Sequence, residues 1–179
     1  MPRHSLSLAT RLIALLLLAT TTASAGNWPA WRGADGRGIS ADTRLPVRFG
    51  PETNVAWKTP LPGEGNSTPI IWNDRVFVTG PRDGGKIRSL MCFDRGNGKL
   101  LWTHDVAFPD KETAHGDNPF CSGSPTTDGK LVYASFGSAG ILACDFSGKV
   151  AWHRKLDRLA HVFGPATTPV LYKDLLITH

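Results

Sequence analysis

"CFDRGNGKLLW", residues 92–102, decides the fold of this chain. Asp94 stands before Gly96, Asn97 and Gly98, with Arg95 and Lys99 close by. The stretch is either an acid beside a glycine-rich anion loop or a tight turn between two strands. It returns, one residue shorter, as "ACDFSGKVAW", residues 143–152. Asp94 matches Asp145, Gly98 matches Gly148, and Trp102 matches Trp152. A catalytic acid is rarely supplied once per repeat. Every copy of a turn, by contrast, needs a carboxylate that accepts from its own backbone N–H groups and a glycine at positive φ. The stretch is a turn.

The match extends upstream. "STPIIWNDRVFVTG" (67–80) parallels "SPTTDGKLVYASFG" (124–137), and "TTPVLYKDLLITH" (167–179) opens a third copy. Trp57 to Trp102 spans 45 residues and Trp102 to Trp152 spans 50, the period of a propeller blade. In the second copy Ser124–Thr127 gives strand one, Leu131–Ser135 strand two, Gly140–Cys144 strand three, and Val150–Trp152 opens strand four. Asp128-Gly129 is a hairpin signal, and Asn73-Asp74 and Lys173-Asp174 hold the same place in the other copies. Four-stranded units at this spacing predict an all-β protein, a β-propeller of antiparallel blades. Blades are expected at about 64–104 and 121–154, with a third begun at 164. "NVAWKT" (54–59) is expected to be a lone outer strand that completes a last blade. Two full copies are fewer than the four to eight blades of typical propellers, so the sequence reads as an N-terminal fragment.

Composition agrees. The 179 residues are 41% hydrophobic, with Gly 19 and Pro 13, which suits a turn-rich globular domain. Residues 1–25 stand apart from it. Arg3 and Arg11, an apolar run from Leu12 to Ala19, and Ala23-Ser24-Ala25 form the three parts of a secretory signal peptide. The run is too short to span a bilayer, and no cysteine follows it to carry a lipid. Export to the periplasm or beyond is expected, with cleavage after Ala25. Removing Arg3 and Arg11 takes the formal charge from +5 to +3. The remaining basic residues are scattered, unlike the stripe of a nucleic-acid surface. Cys92, Cys121 and Cys144 are an odd number, so at most one disulfide can form.

The Asp, Gly-Lys turn and Trp pattern, seen in full at 94–102 and 145–152, resembles the tryptophan-docking motif of pyrroloquinoline-quinone (PQQ) type repeats. The likeness covers residues 54–179 and implies seven or eight blades in a complete, monomeric ring. It is similar in fold to the outer-membrane assembly factor B propellers, which are interaction scaffolds. "NWPAWRGADGRGIS" (27–40), within a leader of residues 26–53, looks like the segment preceding the first blade in exported bacterial members, with Trp28, Trp31 and Arg32 as expected anchors.

Strand order places the loops entering strand one on the channel mouth, where propeller ligands sit. These are "EGNS" (64–67), "HGDNPFCSGS" (115–124) and "HVFGPAT" (161–167). The middle loop is the richest, with His115, Asp117, Asn118, Cys121 and Ser124, and His161 follows from the next. These are the candidate ligand-binding residues. His115, Asn118 and Cys121 also meet a His-x-x-Asn-x-x-Cys pattern that the resemblance leads one to expect. Their spacing is not that of a zinc site. Asp83–Lys86 lacks the order of a phosphate loop. Asp105, Asp110 and Glu112 are expected on a solvated linker between blades. No catalytic residue can be nominated. The expected function is a non-catalytic scaffold for a protein partner or a small polar ligand. The alternative implied by the resemblance is a quinoprotein dehydrogenase that holds PQQ and Ca²⁺ and oxidises an alcohol or sugar.

Overall fold

The computed structural model describes residues 26–179; the expected signal peptide, 1–25, lies outside the described residues. Apart from two single 3₁₀ turns, Asp83–Gly85 and Gly137–Ala139, the regular structure is all β. Strands β1 (Ile70–Trp72), β2 (Arg75–Arg82), β3 (Ile87–Asp94) and β4 (Leu100–Ala107) pair in sequence order as one antiparallel sheet. The next four, β5 (Thr126–Thr127), β6 (Leu131–Ser135), β7 (Ile141–Asp145) and β8 (Val150–Arg154), repeat that order in a second sheet. β9 (Val170–Tyr172) and β10 (Leu175–Ile177) form the opening hairpin of a third. This is the sheet pattern of a β-propeller, and these residues do not close the ring.

The registers superpose. Ile70 faces Phe77, Thr126 faces Tyr133 and Val170 faces Ile177, so the first strands of the three sheets are equivalent residue for residue. Both complete sheets carry a register shift just past the tryptophan partner, after Cys92↔Trp102 and after Ala143↔Trp152. A bulge conserved between repeats twists the outer strand and re-aims its side chains.

The turn before each tryptophan has the predicted chemistry. Asp94 Oδ1 accepts from the N–H groups of Gly96 (2.9 Å) and Asn97 (3.0 Å). Asp145 Oδ1 accepts from Ser147 and Lys149. The Ser147 hydroxyl and then the two N–H groups hold the Asp145 carboxyl below its ordinary value. Gly148 sits at φ 90°, and a Cβ there would lie 2.8 Å from the Trp102 ring. Trp102 thus lies flat on the turn of the following sheet and donates from Nε1 to Phe146 O at 3.0 Å. Trp57 does the same to the turn at Gly98, donating to Arg95 O at 2.8 Å. Residues 54–59, expected as a strand, enter no sheet. The Trp57 contact and a Thr59 hydroxyl bond to Gly98 O hold them without backbone pairing.

The core lies between the two complete sheets. Phe77, Leu90 and Cys92 from the first pack against Val132, Ala134, Leu142 and Cys144 from the second. β3 is buried on both faces, because Met91 and Phe93 face a second cluster with Val76 and Val78. That explains its near-continuous apolar sequence, interrupted only by Arg88 and Ser89. All three cysteines are buried and unpaired. Burial pushes the thiols of Cys92 and Cys121 up to about 12 and that of Cys144 to about 11, so they behave as small core residues.

Candidate functional site

The three entry loops meet. Asn66 donates from Nδ2 to Asp117 O at 2.9 Å, joining the first loop to the second. Asn118 donates to Phe163 O (2.6 Å) and Gly164 O (3.1 Å), joining the second to the third. Ser124 bonds in both directions, accepting from Thr68 N at 2.8 Å and donating its own N–H to Thr168 Oγ1 at 3.0 Å. Each first strand therefore begins with a hydroxyl residue that ties it to its neighbour.

The leader runs along the innermost edge of the sheets. Trp28 and Ile71 exchange two backbone bonds, at 2.8 and 2.9 Å, and Thr127 N donates to Pro29 O at 2.9 Å. Leader, entry loops and first strands together line a half-open cavity of about 890 Å³, within the range of roughly 300–1,000 Å³ usual for small-molecule sites.

Of the six candidate residues, Asn118 and Ser124 line this cavity. Asp117 points to solvent with its side chain 97% exposed, and His115 is half exposed. The His115 Nδ1 accepts from Asp117 N at 3.2 Å, and its ring meets Phe163 edge-on. Cys121 is in the core. His161 lines a separate, smaller cavity of about 400 Å³. Sequence reasoning missed Trp31, Asn66, Thr126, Thr167 and Thr168, which also line the main cavity. For Thr168 the signal was the hydroxyl residue before the proline that leads into each first strand, as at Thr68, Ser124 and Thr168.

The expectation that Glu112 is a solvated linker acid is wrong. Its side chain is 2% exposed and is ion-paired with Arg88, itself 1% exposed. The Glu112 carboxylate also accepts from Ser138 N at 3.1 Å and from the Ser138 hydroxyl, and lies 3.2 Å from His161 Nε2. Arg88 stands between the rings of Phe108 and Phe120, at 4.9 and 4.7 Å, and donates to Gly85 O and Phe136 O. Burial pushes the Glu112 carboxyl up, but the Ser138 hydroxyl, the Arg88 charge, the Ser138 N–H and His161 together hold it below its ordinary value. Asp105, also expected on the linker, belongs to β4 and binds Arg82 and the Ser89 hydroxyl. Asp110 is exposed, as expected. His161 is thus the third arm of a clamp joining three successive repeats.

Among the described residues no group of three or more His, Cys, Asp or Glu is placed to hold a metal ion. The donors of the main cavity do not fit Ca²⁺ with a tricarboxylate quinone. Its carboxylate, Asp35, is bound to Arg37, and its cation, Arg32, lies over Trp31. Apart from His179, the other polar side chains are neutral hydroxyls and amides, whereas Ca²⁺ sites draw on several carboxylate and carbonyl oxygens. No helix among the described residues is long and apolar enough to cross a membrane.

No curated protein matches the chain closely enough to lend it a function. Among solved structures, the crystal structure of BamB from Moraxella catarrhalis is similar, with a TM-score of 0.50 and 21% sequence identity. That likeness covers 69% of this chain and 36% of the BamB chain, and it concerns the fold. The family model described as outer membrane protein assembly factor BamB matches residues 40–174. The chain, with its Asp–Gly–Trp repeat and four-stranded antiparallel sheets, belongs to that family.

Proposed function

We propose that this chain is part of an exported propeller that serves as a non-catalytic binding scaffold, with its site at the channel mouth. The observation that carries the reading is the stitching of three entry loops and the leader around one preformed cavity. Asn66, Asn118 and Ser124 are fixed by bonds to neighbouring loops, and a binding surface held this way loses little entropy when it is occupied. Fold alone does not confer the chemistry of a quinoprotein. Export rests on the signal-peptide pattern in residues 1–25 and on membership of a family named for an outer-membrane assembly factor. The partner is a protein or a small polar ligand.

The domain reading belongs to the same proposal. Residues 26–53 form the leader and 54–179 part of a ring of seven or eight blades, with blades at about 64–104 and 121–154 and a third begun at 164.

The test is a titration of the full-length exported protein with PQQ in the presence of Ca²⁺, followed by tryptophan fluorescence. The scaffold reading expects no saturable quenching up to high micromolar PQQ. A one-to-one endpoint would overturn it in favour of the dehydrogenase.

A further inference from the structure

The wall of the main cavity has a chemistry of its own. Trp31, in the leader, is 55% exposed, and the Arg32 guanidinium lies 5.6 Å from its ring centroid. An aromatic ring left open on a cavity wall is costly to hydrate and offers a flat apolar platform. Around it stand neutral groups with unused capacity. Asn118 commits its amide N–H groups to two loop carbonyls and Asn66 one of its own to another, which leaves each amide oxygen as an acceptor. The Ser124 and Thr168 hydroxyls each accept one backbone N–H and keep an O–H to donate.

The backbone adds one more donor. Ile71, Thr127 and Leu171 are equivalent in the three first strands. The first two give their N–H groups to Trp28 O and Pro29 O of the leader. Leu171 lines the cavity, and the antiparallel alternation turns its N–H away from β10 toward the same inner edge.

Charge narrows the choice. Asp35 is neutralised by Arg37, and Arg32 is the one cation on this wall among the described residues apart from His179. A ligand with a fixed charge finds no carboxylate or ammonium cluster to balance it. One with an apolar face and several hydroxyls finds a ring, two amide oxygens, two hydroxyls and a backbone N–H. We infer that the channel cavity takes a neutral saccharide, stacked on Trp31 and bonded by Asn66, Asn118, Ser124, Thr168 and the Leu171 amide. The inference rests on the channel-site reading above and names the ligand class for that site.

The experiment titrates the full-length protein with cello-, malto- and chito-tetrasaccharide, read by calorimetry and by tryptophan fluorescence. At least one is expected to bind saturably, Trp31→Ala to weaken it by about tenfold or more, and Trp31→Phe to keep most of it. Trp31 is exposed, so the melting temperature of both variants should match that of the parent. Absence of binding by all three sugars up to about 10 mM, a free energy near −3 kcal/mol, would overturn the inference. So would sugar binding that Trp31→Ala leaves unchanged. If the sugars fail but an uncharged extended peptide quenches Trp31 saturably, the saccharide inference falls and the channel site stands. If neither ligand reaches Trp31, both fall.

Discussion

Glu112→Ala is expected to lower the stability of the protein by about 3–5 kcal/mol, the cost of stranding a buried charge. Arg88 is fully buried between Phe108 and Phe120, and Glu112 is its counter-ion. Without the carboxylate the guanidinium retains two carbonyl partners, Gly85 O and Phe136 O, but no balancing charge. Ser138 and His161 lose their acceptor at the same time. The double variant Arg88→Met with Glu112→Leu is expected to cost less than Glu112→Ala alone, because paired removal leaves no orphan. Urea denaturation midpoints check both, and equal midpoints for parent and Glu112→Ala would contradict the clamp.

The clamp also sets a pH dependence. The Glu112 carboxyl lies below its ordinary 4.5 in the folded protein, so the unfolded chain binds its proton first as pH falls. Its contribution is present in full above the unfolded value and is lost as pH drops through the folded one. Acid should therefore destabilise the parent more than the double variant, below about pH 4.5.

Trp102→Ala is the second large effect, at about 3 kcal/mol, the lower end of the usual range for a truncated aromatic because the ring is only partly buried. Three contacts are lost together. The ring covers Gly148 on the neighbouring turn, its Nε1 donates to Phe146 O, and its centroid lies 5.9 Å from that of Phe77. Since the first two join one sheet to the next, the substitution should weaken the association of repeats more than either sheet alone. Thermal unfolding with far-ultraviolet dichroism measures it, and an unchanged midpoint would remove the docking role.

Much of this was legible in the sequence because the fold is written once per repeat. Asp94, Gly98 and Trp102, matched by Asp145, Gly148 and Trp152, marked the turn and the docking ring; the bulge beside them shows only in the strand register. Asn73-Asp74 and Lys173-Asp174 marked the hairpins. The site was only partly legible. The entry loops converge as their strand order predicts, yet of the six candidates only Asn118 and Ser124 reach the main cavity. Glu112 was misread because a carboxylate in a polar linker is ordinarily solvated. Its burial depends on Arg88, twenty-four residues earlier in β3, and on two loops from later repeats. A signal was present: an arginine inside the apolar strand "IRSLMCF" (87–93) requires a buried partner. The leader was harder. Trp28 and Pro29 bind the sheets through backbone atoms, and such bonds leave no mark in side-chain pattern.

The leader forms one wall of the cavity, so the proposed site depends on where the leader lies. Native-state hydrogen exchange at Ile71 and Thr127 reads it directly in the full-length protein, with and without residues 26–40. Their N–H groups are held by Trp28 O and Pro29 O. Slow exchange in the intact protein, becoming fast once the leader is removed, is the predicted result. Fast exchange in the intact protein, or slow exchange that survives the deletion, would contradict a leader laid along the inner strands.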